Sequence, residues 1–141
     1  HDSLIVVRQF RPSVYLKNGE GYTYELCAGI VDKDKPLLKI AHEEVLEECG
    51  YDVPLERIER VTSFYTAVGF AGSVQTLYYA TVDDSMKVSD GGGIDVEAIE
   101  VVEIPRCEAK HFAMDETKAK TPGLMFGFSW FLEKFEGLKK H

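Results

Sequence analysis

The chain has 141 residues, 45% hydrophobic and 28% charged, which is enough to enclose a core and ordinary for a globular protein. Its formal net charge of −8 argues against a nucleic-acid backbone as the main partner, although a bound divalent cation can reverse the field locally for a small anionic substrate. No apolar run approaches the roughly 20 residues of a membrane span, and three cysteines, Cys27, Cys49 and Cys107, without metal-ligand spacing read as the reduced thiols of a cytoplasmic protein.

In chain order, Leu4 to Phe10 is apolar and β-branched and predicts a strand. Asn18-Gly19-Glu20-Gly21 is a turn signal, and a second strand follows from Tyr22 to Leu26. A helix is predicted from Pro36 to Glu48, with Asp34 and Pro36 at its start and Gly50 as its stop. Leu37, Ala41 and Val45, with Leu38 beside them, form the apolar stripe that docks it. Arg60 to Tyr65 and Val74 to Val82 read as strands around the loop Val68-Gly69-Phe70-Ala71-Gly72. The loop Ser89-Asp90-Gly91-Gly92-Gly93 precedes a strand from Ile99 to Ile104. Thr121-Pro122 opens a last helix whose Leu124, Met125, Phe128, Phe131, Leu132 and Phe135 recur at helical spacing. These side chains and Trp130 read as core rather than as a ligand-stacking surface. Strands interleaved with two helices predict an α/β layered domain spanning residues 1–141.

The acidic helix holds the chemistry. Glu44, Glu47 and Glu48 stand at i, i+3 and i+4, so a helix places their carboxylates on one face. Like charges at that spacing cost about 0.2–0.5 kcal/mol per pair. A solvated acidic face is one explanation; a hard divalent cation held among the carboxylates is the other. His42, just before the cluster, reads as a surface histidine.

From Gly29 to Tyr51 the chain resembles the Nudix box, G-x5-E-x7-R-E-U-x-E-E-x-G-U, where U is bulky and apolar. Glu44, Val45, Glu47, Glu48 and Gly50 stand in register, with Tyr51 at the last position. Lys35 replaces the first Glu of the pattern and Glu43 replaces its Arg. In the family that Arg pairs with a box Glu, so the exchange predicts a lost brace and one more negative charge, partly offset by Lys35 or Lys39. The resemblance covers almost the whole chain. Val7-Arg8-Gln9-Phe10-Arg11-Pro12, Glu25-Leu26-Cys27-Ala28-Gly29 and Gly91-Gly92-Gly93 are similar to the branch that cleaves ADP-ribose and UDP-sugars. The wording around Cys27, Cys49 and Trp130 is most similar to the animal UDP-glucose pyrophosphatases.

The resemblance implies an α/β/α sandwich with a mixed β-sheet, and Mg²⁺-dependent cleavage of a nucleoside diphosphate sugar, with Mn²⁺ as a substitute ion. UDP-glucose, giving UMP and glucose 1-phosphate, is the leading substrate. ADP-ribose is the alternative, and a nucleotide-binding module with weak or no turnover is a third outcome. Glu44, Glu47 and Glu48 with the Ala28 carbonyl are the implied metal ligands, Glu47 serving either as ligand or as neighbour to the ligands. Asp95 or Glu97 is the implied general base, with Glu44 beside them in the catalytic set. Arg11, Glu25 and Gly29 are the implied substrate-side residues: Arg11 contacts phosphate or pairs with the acidic helix, and Glu25 binds metal through water or pairs with Arg11 or Arg8. Pocket residues that choose the base are expected within Thr66 to Gly72 and in an N-terminal region. The family further implies a homodimer, and an N-terminal region missing before His1 or between Ser3 and Leu4.

Overall fold

The computed structural model describes residues 2–31, 34–94 and 98–136. Strand β1 (Ser3–Phe10) is the central element, because its β-branched run can be buried on both faces. It pairs antiparallel with β2 (Tyr22–Glu25) on one edge and β5 (Ile99–Pro105) on the other. Val7 lies opposite Glu25 on β2 and Val101 on β5. The named strands pair antiparallel, and a parallel bridge between Tyr24 and Lys120 adds to the β2 edge.

Alternation along β1 sends Val6 and Val7 to opposite faces, and each is fully buried in its own cluster. Val6 packs with Ile104, Ala109, Leu124 and Phe128, under helices α3 (Ala109–Met114) and α4 (Pro122–Glu136). Val7 packs with Cys49, Tyr51, Val53, Ile58 and Met86, and Leu38 and Val45 of the acidic helix join that cluster. Helix, sheet and helices therefore stack as three layers, in line with the predicted α/β class. Among the described residues no helix is long and apolar enough to cross a membrane.

Strands β3 (Glu59–Thr66) and β4 (Ser73–Tyr79) form a separate antiparallel hairpin. It leans on α4 through Phe64 against Phe126 and Tyr79 against Trp130, Phe131 and Phe135. The predicted strand end at Val82 is therefore too late, since the ladder stops at Tyr79. Leu124 and Phe128 are core as expected, but Trp130 is only half-buried, its ring shared between Tyr79 and the Lys134 ammonium.

Two helices escaped the sequence reading. One is α3; the other is α1 (Pro12–Asn18), opened by Pro12 and closed by Gly19 in the left-handed conformation. Asn18 Oδ1 accepts the Glu20 and Gly21 amides, so the predicted turn is the exit of a helix. The short α1 exposes Tyr15 and Leu16 and buries no residue, which leaves its apolar period without a stripe to detect.

Candidate metal and substrate site

The acidic helix begins as α2 (Leu37–Glu44), one residue after the predicted start, with Pro36 at its N-cap and no side-chain cap from Asp34. Its docking contact also differs from the predicted stripe: Ile40 is buried, whereas Leu37 is 39% exposed. From Val45 to Cys49 the helix widens into a π turn, in which the Gly50 amide reaches the Val45 and Leu46 carbonyls. Such single π turns recur at functional sites because they re-aim the residues that follow. Glu48 lies on this turn and is only 5% exposed.

Gly50 ends the helix with φ +82°, and a Cβ there would run into the Ser89 carbonyl. The following loop is tied back onto the helix end. Val88 donates its amide to the Gly50 carbonyl (2.8 Å), Gly92 to Glu48 (2.8 Å) and Gly93 to Glu47 (3.0 Å). Those bonds bring the chain immediately before Asp95 and Glu97 against the glutamate-bearing turn. Asp95 and Glu97 themselves lie outside the described residues.

The turn after β2 lies along the same helix in a second close approach. The Ala28 amide donates to Glu48 Oε2 at 3.2 Å. Gly29 leaves the space that the Glu44 carboxylate occupies, and a Cβ at that position would displace it. Cys27 packs on the cluster that contains buried Cys49. The Cys49 thiol as hydrogen-bond partner, then burial, then the negative fields of Glu48 and Glu44 push the Cys27 thiol well above its ordinary pKa. Turn and helix are thus matched in antiparallel order, Cys27 to Cys49, Ala28 to Glu48 and Gly29 to Glu44.

Beside this seam, Arg11 forks onto Glu25, Nε to Oε2 and Nη2 to Oε1, both at 2.9 Å. Thr23 Oγ1 donates to the same Glu25 Oε2 at 2.7 Å. The hydrogen bond to Glu25, and behind it the charges of Glu25 and Glu48, raise the Arg11 pKa, so the guanidinium is firmly cationic. Of the two pairings open to Arg11 within the protein, the structure has Glu25 rather than the acidic helix. Arg8 goes elsewhere, to Glu100 at 3.3 Å and over the Tyr22 ring. Sequence reasoning missed Thr23, although its i, i+2 relation to Glu25 on a strand was the available signal.

One further expectation is made specific and one needs correction. Of the two lysines expected to offset Glu43, Lys35 does so, its Nζ meeting Glu43 Oε2 at 3.0 Å. His42 is not a free surface group, since its Nδ1 lies 2.8 Å from the Val53 carbonyl and the ring is mostly covered. That contact ties α2 to the segment after the helix.

Among the described residues no group of three or more His, Cys, Asp or Glu side chains converges closely enough to form a ready-made metal cage. Glu44 and Glu48 beside the Ala28 main chain offer carboxylate and carbonyl oxygens, the donor type that hard divalent cations take. Glu47 is partly exposed on the same turn, held through its carbonyl.

No protein-family model matches the chain. Curated relatives do. The chain is similar to the uridine diphosphate glucose pyrophosphatase of Bos taurus, at 40% identity over 92% of this chain and 71% of the relative. It is 34% identical to the Mus musculus protein of the same name, over 94% of this chain and 72% of the relative. The GDP-mannose pyrophosphatase of Cronobacter sakazakii is 38% identical over 76% of this chain and 55% of the relative.

Proposed function

The chain belongs to the Nudix hydrolase family, and on that premise we propose that it cleaves the pyrophosphate bond of a nucleoside diphosphate sugar, with UDP-glucose giving UMP and glucose 1-phosphate. One observation carries this reading. The Cys27-Ala28-Gly29 turn is laid along the acidic helix so that Ala28 meets Glu48 and Gly29 makes room for Glu44. A solvated acidic face has no need of such a fit.

Enzymes of this family use a divalent metal, and Mg²⁺ is the ion we assign, with Mn²⁺ as substitute. Glu44, Glu48 and the Ala28 carbonyl would hold it, with Glu47 as a further ligand or as a neighbour that orients one. The ion supplies charge neutralisation to the diphosphate and acidity to a water. The remaining work falls to the chain's own groups. Arg11 turns its planar fork toward a phosphate, leaving Glu25 and Thr23 as the cradle it departs from. Asp95 or Glu97, in the segment led in by Gly91 to Gly93, takes the proton of the attacking water. Thr66 to Gly72, the connection between β3 and β4, is the segment assigned to the base and sugar. The same reading makes the protein a cytoplasmic homodimer. Free thiols at Cys27, Cys49 and Cys107 are in keeping with the compartment.

The test is release of UMP from UDP-glucose, with AMP from ADP-ribose and GMP from GDP-mannose measured alongside, with and without Mg²⁺. UDP-glucose is expected to turn over fastest, and Glu48→Gln to be inactive. Mg²⁺-dependent binding of the nucleotides without release identifies a binding module instead. Undiminished turnover by Glu48→Gln overturns the metal assignment.

A further inference from the structure

Cys27 and Cys49 are 22 positions apart in sequence, yet each directly adjoins a residue of the proposed metal set. Cys27 precedes Ala28, and Cys49 follows Glu48. Cys49 belongs to the apolar cluster around Val7, and Cys27 packs against that same cluster. Cys49 is buried, and the two backbones at this point approach closely enough for Ala28 to hydrogen-bond the Glu48 carboxylate. A buried contact between soft, uncharged side chains can fix the distance between two segments without adding charge beside carboxylates. Substituting a second ionised group here would compete for the cation; substituting a larger side chain would spread the seam.

We infer that the Cys27 and Cys49 side chains, packed in one apolar cluster, form a positioning element of the metal site, setting the spacing between the Ala28 main chain and the Glu48 carboxylate. This rests on the reading that Ala28, Glu44 and Glu48 hold a divalent ion. Neither cysteine is a ligand or a catalytic residue; both act through the neighbours they hold.

The experiment measures Mn²⁺ affinity of the full chain without substrate, by electron paramagnetic resonance of the free ion. Wild type, Cys27→Ala, Cys49→Ala, the double variant and Met86→Ala are compared. Met86 belongs to the same apolar cluster but adjoins none of the metal residues, so it reports the effect of core loss alone. Each cysteine variant is expected to bind Mn²⁺ about 10-fold more weakly, the lower end of what supporting residues around a metal contribute. The double variant should lose little more than either single one, because the pair acts as a unit. Met86→Ala should lower Tm and leave Mn²⁺ affinity within about twofold of wild type, as expected for an independent site. Where an alanine variant does not fold, Cys27→Ser and Cys49→Ser supply the same comparison with a smaller volume change. Folded cysteine variants that bind Mn²⁺ like wild type overturn the inference alone. So does an equal loss in Met86→Ala. Failure of the wild type to bind Mn²⁺, or equal binding by Glu48→Gln, overturns the metal reading and this inference with it.

Discussion

The two ends of the acidic helix obey different rules. From its entry, Lys35 reaches along the helix to Glu43 across a partly exposed surface, with side-chain exposures of 43% and 32%. Two residues that depart from the family pattern there form an ion pair. At its exit, Glu48, Cys49 and Gly50 are buried, and two segments of backbone, the turn at Ala28 and the loop from Val88 to Gly93, approach one π turn. An exposed ion pair needs only opposite charges within reach, so either residue can carry either sign. A packed turn has one shape, because a single added methyl group meets backbone or carboxylate.

This contrast is open to direct test, beginning with the largest effect. Glu48→Gln keeps the shape and the Ala28 hydrogen bond but removes the charge; sugar nucleotide hydrolysis should fall by about 100-fold or more, beyond the range of residues that only support a metal ligand. A purified variant with wild-type Tm and wild-type kcat would break the assignment of the exit as the site. Gly29→Ala should come next. Its Cβ displaces the Glu44 carboxylate, and loss of kcat by about 10- to 100-fold is expected while circular dichroism stays native. Gly50→Ala tests backbone rather than charge. Positive φ and the clash with Ser89 together should cost more than about 1 kcal/mol, read as a lowered urea midpoint.

Arg11→Lys separates positioning from substrate contact. The ammonium cannot reproduce the fork, so KM for UDP-glucose should rise more than kcat falls. The smallest effect belongs to the entry. Lys35→Glu places two carboxylates where an ion pair stood and should lower stability by about 0.2–1 kcal/mol. Lys35→Glu combined with Glu43→Arg should restore it, since it returns the pair in the opposite sense. A large activity loss in Lys35→Glu that the double variant does not recover would erase the distinction between the two ends.

Much of the candidate site's arrangement was legible beforehand because it is written in local spacing. Gly29, Glu44, Glu48 and Gly50 are separated by fixed intervals, and a helix turns intervals into faces. The stretches missed were of two kinds. The α1 and α3 helices are too short for an apolar period to stand out, and both depend on packing or caps rather than on propensity. The partners of Arg11, Lys35, His42 and Cys27 depend on which of several reachable groups the fold brings nearest, and that choice has no local signature. The exposure of Leu37 and burial of Ile40 have a similar origin, since the direction of the sheet decides which side of the helix is covered.

By itself, then, the sequence determined an α/β domain with an acidic helix, and a turn at Cys27-Ala28-Gly29 that a known family uses with it. It determined the candidate glutamates, because their spacing is a property of the helix alone. Only the tertiary structure decided that the helix ends in a π turn, that Lys35 and Glu43 brace each other, and that Arg11 rests on Glu25. It alone brought Cys27 to Cys49 across 22 positions. Such contacts arise where distant chain segments meet around β1, β2, β5 and the helices, and there close packing, not propensity, selects the partner.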